Sequence, residues 1–262
     1  MHNDIFSIGN LTIHGYGLMI AIGMILAFYM ADKRAPKYNI KSDNVWTIGV
    51  LIVVFGFMCS KLLYFITIWQ DILKDPKELL SLDGGFVVYG GLIGGGLTAY
   101  IYCKVTKGVF LDYIDLAVPS VALAQGIGRI GCLLAGCCYG RETDSWFHIV
   151  FHDSQLAPNG IKLVPTQIIM SVADLILCVI LLLAAKKYKK RGQVTGIYII
   201  LYSIGRFIIE YWRGDIARGS VGVLSTSQFI SIFTLIVGIV VLVVARNNKE
   251  PLKDKGIADT SK

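Results

Sequence analysis

Four polar residues in the run LYSIGRFIIEYWR, namely Tyr202, Arg206, Glu210 and Arg213, stand four, four and three positions apart. At about 100° per residue of α-helix they fall on one stripe roughly 80° wide. Guanidinium groups beside a phenol and a carboxylate can bind an anion, and the arginine fork matches the oxygens of a phosphate. A further arginine, Arg129, sits in an otherwise apolar, glycine-rich run, GRIGCLLAGCCYGR, residues 128–141. Two accounts of these charges are open at this point. In one, Glu210 merely neutralises Arg206 and Arg213 by i,i+4 and i,i+3 pairing. In the other, Arg129, Arg206, Arg213 and Lys61 outnumber Glu210, with Asp174 deeper on a neighbouring helix, and the excess calls for an anion.

The elements that must carry these residues are membrane helices. The chain of 262 residues is 55% hydrophobic and 16% charged, against about 25% charged in soluble domains. A spanning helix needs about 20 mostly apolar residues, and seven such runs are expected, at 11–31, 45–69, 86–104, 115–138, 167–186, 194–213 and 224–245. Met1 to Ile13 has no basic n-region, so no cleaved signal peptide is expected. The expected fold class is an all-α integral membrane protein, with a seven-helix domain over 1–246 and a polar, disordered cytoplasmic tail over 247–262. Extracytoplasmic segments are expected at about 70–84 and 139–166.

Loop charge sets the orientation. Of the 25 basic residues, sixteen follow spans one, three, five and seven, including Lys33, Arg34, Lys186, Lys187, Arg191 and Arg246. The positive-inside rule then puts the N-terminus outside and the C-terminus in the cytoplasm. The net charge of +7 is thereby a matter of topology, and no nucleic-acid partner is expected. Arg129 falls about 14 residues along an outward-running span and Arg206 about 12 along another, so both should lie in the outer half of the bilayer. Tyr16, Tyr89, Gln167 and Gln228 stand near the outer starts of spans one, three, five and seven. Singly, each tyrosine suits an interfacial belt; together they agree on one leaflet. The glycines at 90, 91, 94, 95 and 96 and at 126, 128 and 131 suit close helix packing or broken backbone round a cavity. GIGRIG at 126–131 matches GxGxxG without a βαβ unit, so it is no dinucleotide site. A phosphate-bearing partner in the outer leaflet is most simply a phospholipid.

Several segments together resemble one family, the phosphatidylglycerol–prolipoprotein diacylglyceryl transferases of bacterial plasma membranes. HGYGLMIAIG is similar to the family's opening segment, and GGFVVYGGLIGG to its glycine-rich third span. GRIGCLLAGCCYGR resembles the signature GRIGNFxNxExxG, LVPTQ resembles HPSQ, and GIYIILYSIGRFIIEYWR resembles the sixth-span pattern. STSQ resembles the segment that opens the seventh span. The resemblance implies transfer of diacylglyceryl from phosphatidylglycerol to the lipobox cysteine of a prolipoprotein signal peptide, without cofactor or resident metal. It implies catalytic roles for Arg206, Glu210, Tyr202 and Tyr89, and substrate binding by Arg129, Tyr16, Arg213, Gly140 and Gln167. This chain departs from the family at Tyr89, where histidine is usual, at Cys132 and Cys137, which replace asparagine and glutamate, and at Val164 and Met170.

Cys132, Cys137 and Cys138, spaced C-x4-C-C, suit a tetrahedral zinc site poorly; a soft metal, a redox role or plain packing are the readings. Two other functions compete with the transferase. A paralogue would use the same lipid cradle on another donor or acceptor. A lipid or anion transporter would move lipid in liposomes without an acceptor peptide, but no inverted repeat supports it.

Overall fold

The computed structural model describes residues 4–8, 11–75, 85–187, 190–215 and 219–247. Strands β1 (Asp4–Ile8) and β2 (Leu11–His14) pair antiparallel, Ile8 opposite Leu11. Helices α1 (Gly15–Arg34), α2 (Ser42–Thr67), α3 (Trp69–Lys74), α4 (Val88–Val105) and α5 (Phe110–Ala135) follow. After a short hairpin of β3 (Ile149–Val150) and β4 (Lys162–Leu163) come α6 (Thr166–Lys187) and α7 (Gln193–Ile209). The hairpin β5 (Ser220–Val221) and β6 (Leu224–Ser225) leads into α8 (Thr226–Asn247).

Six of these helices, α1, α2, α5, α6, α7 and α8, are long and apolar enough to cross a membrane. The expected third span is α4, where five glycines, three tyrosines and Lys104 dilute the hydropathy. Several boundaries differ from expectation, the fourth span beginning at Phe110 rather than 115, and three of the differences have a local cause. The first span begins at Gly15 rather than 11, because the preceding residues pair as a hairpin. The fourth ends at Ala135, where Gly136 turns to a φ of +71°. The sixth leaves α-helix at Ile209 and tightens into a 3-10 turn, Glu210–Trp212. Of the segment 70–84, residues 76–84 lie outside the described residues, as do 248–262 of the tail.

The chain forms two compact units, residues 35–113 and residues 1–34 with 114–262. In the first, α2 and α4 pack backbone to backbone. A Cβ on Gly94 would lie 2.5 Å from the Cys59 Cβ, and one on Gly90 would strike the Cys59 carbonyl oxygen. Gly96 meets nothing within 4 Å, so only part of the glycine run serves close approach. Ser60 Oγ donates to the Val87 carbonyl at 2.8 Å and so fastens the start of α4.

In the second unit, α5 lies between α1 and α6. A Cβ on Gly131 would sit 3.1 Å from the Tyr16 carbonyl oxygen, and Ser171 Oγ donates to the Gly126 carbonyl at 2.7 Å. Val118, Ala122, Leu177, Leu181 and Val194 form the buried core of α5, α6 and α7. Helices α7 and α8 also approach closely, through Gly196 against Leu242 and Gly238 against Ile200.

One buried carboxylate aligns α5 with α7. Asp115, 1% exposed, accepts the Gly192 N–H at 2.6 Å, the Thr195 N–H at 2.8 Å and the Thr195 hydroxyl at 2.5 Å. It caps the helix N-terminus from a neighbouring helix, where the orphan N–H groups and the dipole favour an anion. Asp115→Ala should therefore lower stability by about 3 kcal/mol, and Asp115→Asn by about half that. Thermal unfolding in detergent micelles checks the order; equal losses would show that the charge is idle.

Candidate functional site

The stripe on α7 is built as its spacing predicts for its first half. Tyr202 stacks on Tyr198 with ring centroids 5.6 Å apart, and the Tyr198 hydroxyl donates to Gln125 Oε1 at 3.0 Å. That links Gln125 of α5 to the face carrying Tyr202. One turn on, Arg206 Nη1 lies 3.0 Å from Glu210 Oε2, with both side chains largely buried. Arg206 Nη2 donates to Ser227 Oγ at 2.8 Å.

Ser227 is held there by its own helix start. The Gln228 N–H donates to Ser225 Oγ at 3.2 Å and the Ser225 N–H to Gln228 Oε1 at 3.1 Å. This is a reciprocal capping box, so the STSQ segment sets where α8 begins and so where Ser227 meets the guanidinium.

Arg213 parts from Glu210. The 3-10 turn rotates it off the α-helical stripe, and it forms a bidentate pair with Asp215, Nε to Oδ1 at 2.9 Å and Nη2 to Oδ2 at 2.7 Å. Neutralisation of both arginines by Glu210 alone is thus not what the chain does. Asp215 was missed because proximity in sequence carried no periodic signal.

Asp174, expected deeper on the neighbouring helix, has its carboxylate, 6% exposed on α6, in electrostatic interaction with both Arg129 and Arg206. Asp174 of α6 thus interacts with guanidinium groups from both α5 and α7. Beside it, a groove of about 370 Å³ between α6 and α7 is lined by Ile169, Met170, Asp174, Tyr202, Arg206 and Trp212 among others. Apart from Asp174, Tyr202 and Arg206 its lining is apolar, mostly aliphatic with Trp212.

Arg129 also looks towards the end of its own helix. Its Nη1 donates to Cys138 Sγ at 4.0 Å, and Tyr16 of α1 lies within electrostatic reach of Arg129 and of Cys132, Cys137 and Cys138. Beyond Ala135, Gly136 and Cys138 both take positive φ, +71° and 60°, and the chain turns back on itself. Hydrogen bonding from the Cys132 and Cys137 thiols, aided by Arg213, holds the Cys138 thiol below the usual thiol range. The same network, led by the bond to Cys132, pushes Cys137 above it.

Gln167 and Gly140 turn out to hold backbone. Gln167 is fully buried and its Nε2 donates to the Cys137 carbonyl at 2.8 Å, while Thr166 Oγ1 donates to the Cys138 carbonyl at 2.8 Å. At Gly140, three strands of chain meet: Gly140 donates its N–H to Val164 O at 3.2 Å, Arg141 to Trp212 O at 2.9 Å, and Gly214 to Tyr139 O at 3.1 Å. The segment 139–166, expected as an outer loop, is a small ordered layer with Phe151, Ala157 and Leu163 as its core.

Tyr89 belongs to the other unit, in the first turn of α4, and is 52% exposed. Lys61 is in that unit too, with its ammonium 5.1 to 5.3 Å from the ring centroids of Phe65, Tyr64 and Phe86.

Comparison with known proteins gives the family. The family model described as prolipoprotein diacylglyceryl transferase matches residues 3–244. The chain is similar to the phosphatidylglycerol–prolipoprotein diacylglyceryl transferase of Clostridium tetani, 45% identical over 94% of this chain and 98% of that protein. It is 47% identical to the enzyme of that name numbered 2 in Clostridium perfringens, over 87% of this chain and 90% of the relative. The Clostridioides difficile transferase is 34% identical over 95% and 98% respectively. With nearly its whole length matched by the family model and by relatives of 45–47% identity, the chain belongs to the prolipoprotein diacylglyceryl transferase family.

Proposed function

We propose that this protein is a membrane transferase that moves the diacylglyceryl group of phosphatidylglycerol to the lipobox cysteine thiol of prolipoprotein signal peptides, releasing glycerol phosphate. The observation that carries the reading is a largely apolar groove lined by Asp174, Tyr202 and Arg206, with Arg206 held by Glu210 and Ser227, while Arg129 from another helix interacts electrostatically with the same Asp174. That pairing of fixed positive charge with an apolar trough is what a phospholipid offers in reverse.

In the reaction the acceptor sulfur bonds to a glyceryl carbon while that carbon's bond to the phosphate oxygen breaks. The thiol proton is lost, and negative charge gathers on the departing phosphate. Arg129 holds the donor headgroup. Arg206, anchored by Glu210 and Ser227 so that it need not reorganise, stabilises the leaving oxygens. Tyr202 and Tyr16 orient the donor, and Arg213 with Asp215 orders the outer end of the site. The nucleophile comes from the acceptor, so no cysteine of this chain needs to react.

The topology that goes with this reading is seven spans, with α4 as the third. The N-terminus is outside, the C-terminus is cytoplasmic, and the site lies in the outer half of the bacterial plasma membrane. Basic residues at the ends of α1, α4, α6 and α8 support that orientation.

The direct test supplies purified protein in micelles with phosphatidylglycerol and a lipobox peptide. A thioether-linked diacylglyceryl peptide and one equivalent of glycerol phosphate are expected. Release of glycerol phosphate without peptide modification, or neither product, would refute the reading.

A further inference from the structure

The cysteine cluster is unused by the transfer reaction, yet it is the most closely built group of ligand atoms in the described residues. The sulfurs of Cys132, Cys137 and Cys138 all lie within 4.8 Å of one another. The six cysteines of the chain are thiols rather than disulfides. From these positions we infer that Cys132, Cys137 and Cys138 form a three-sulfur site for a soft, thiophilic d10 cation, set against Arg129.

The geometry is close to what such an ion needs. At a metal–sulfur bond of about 2.3 Å, three sulfurs in a trigonal plane stand about 4.0 Å apart, so closing the site takes shifts of less than about one ångström. The backbone is already committed. Cys138 keeps a left-handed φ of 60°, a conformation that disfavours a residue with a Cβ and persists only when its surroundings impose it. Those surroundings are the fully buried Thr166 and Gln167, which grip the carbonyls of Cys138 and Cys137 at 2.8 Å each. The first turn of α6 therefore fixes the turn that returns these sulfurs to Cys132.

Ligand softness and charge select the ion. Three thiolates and no fourth His, Cys, Asp or Glu in the cluster, among the described residues, favour a soft cation in trigonal coordination over Mg²⁺ or Ca²⁺. Binding a divalent ion releases three thiol protons and leaves a complex of charge −1. Arg213, which also reaches Cys138, already pairs with Asp215, so the new negative charge is shared with Arg129, whose Nη1 is 4.0 Å from Cys138 Sγ. The complex then competes with a phosphate for that guanidinium. This last consequence, inhibition of transfer by the bound ion, rests on the proposed function; occupancy of the site does not.

Cd²⁺ is the probe, added to reduced, full-length protein in micelles. One equivalent should bind with a thiolate-to-cadmium charge-transfer band. Cys137→Ser, nearly isosteric, should weaken binding by about 100-fold or more, while Cys59→Ser leaves it unchanged. Mg²⁺ in excess should not compete. In the transfer assay Cd²⁺ should inhibit the unsubstituted protein reversibly, with a dithiol chelator restoring it, and spare Cys137→Ser. Equal Cd²⁺ affinity in Cys137→Ser, absence of the band, or a Cys137–Cys138 disulfide persisting by mass spectrometry under reducing conditions would overturn the site. If the metal-free protein shows no transfer, the transferase reading falls and the band still decides the site.

Discussion

Arg206→Ala should lower kcat/KM for diacylglyceryl transfer by about 10³-fold, most of it in kcat. Removing one preorganised donor aimed at developing negative charge typically costs 10² to 10³ in rate. Here the donor is a full charge pinned by two partners, Glu210 at 3.0 Å and Ser227 at 2.8 Å. The same substitution strands Glu210, whose side chain is only 6% exposed, and an unpaired buried carboxylate destabilises by about 3 kcal/mol or more. Activity and folding must therefore be separated. Arg206→Ala combined with Glu210→Gln removes the orphan charge, so melting in micelles should recover while transfer stays lost. If transfer recovers with stability, Arg206 is a fold residue and its catalytic role is wrong. Arg129→Ala should act differently, raising the KM for phosphatidylglycerol more than it lowers kcat, because it holds the headgroup before the bond breaks. Arg129→Lys should rescue only part of that, since an ammonium cannot replace a bidentate fork.

The second large effect is expected from a methyl group. Gly140→Ala places a Cβ against the Val164 carbonyl oxygen, 2.7 Å from the Val164 Cβ and 2.9 Å from the Trp212 carbonyl oxygen. Two of those atoms are backbone, in two segments already tied to this one by hydrogen bonds, so no side chain can swing away to make room. A loss of at least about 3 kcal/mol is expected. It should come with loss of transfer, because the Gly140 bridge to Arg213 positions the outer guanidinium. Gly96→Ala is the matched control. A Cβ there meets nothing within 4 Å, and alanine in a helix interior is favoured over glycine by up to about 1 kcal/mol. Similar melting for the two variants would show that the crossing at Gly140 has slack.

How far the sequence reads ahead of the fold is clearest on α7. Helical spacing alone put Tyr202, Arg206 and Glu210 on one face, and they share it. Arg213 obeyed the same arithmetic and failed, since the helix tightens to a 3-10 turn at Glu210 and rotates the next residue away. The glycine run 90–96 marked close packing, and Gly90 and Gly94 provide it while Gly96 does not. GRIGCLLAGCCYGR is legible as a site of chemistry through its buried arginine, whereas the bond from the Gln167 amide to the Cys137 carbonyl has no signal in the sequence.

Composition and periodicity suffice for membrane helices, for the basic helix ends and for the polar stripe, because each depends on neighbours within a turn or on transfer of one segment out of water. The interaction of Asp174 with Arg129 and Arg206, and the grip of Thr166 and Gln167 on the turn that carries Cys137 and Cys138, depend on contacts between segments tens of residues apart. Such contacts are set by how glycine faces let helices approach and by where a turn of left-handed backbone points the chain, and neither is a property of any single stretch of residues.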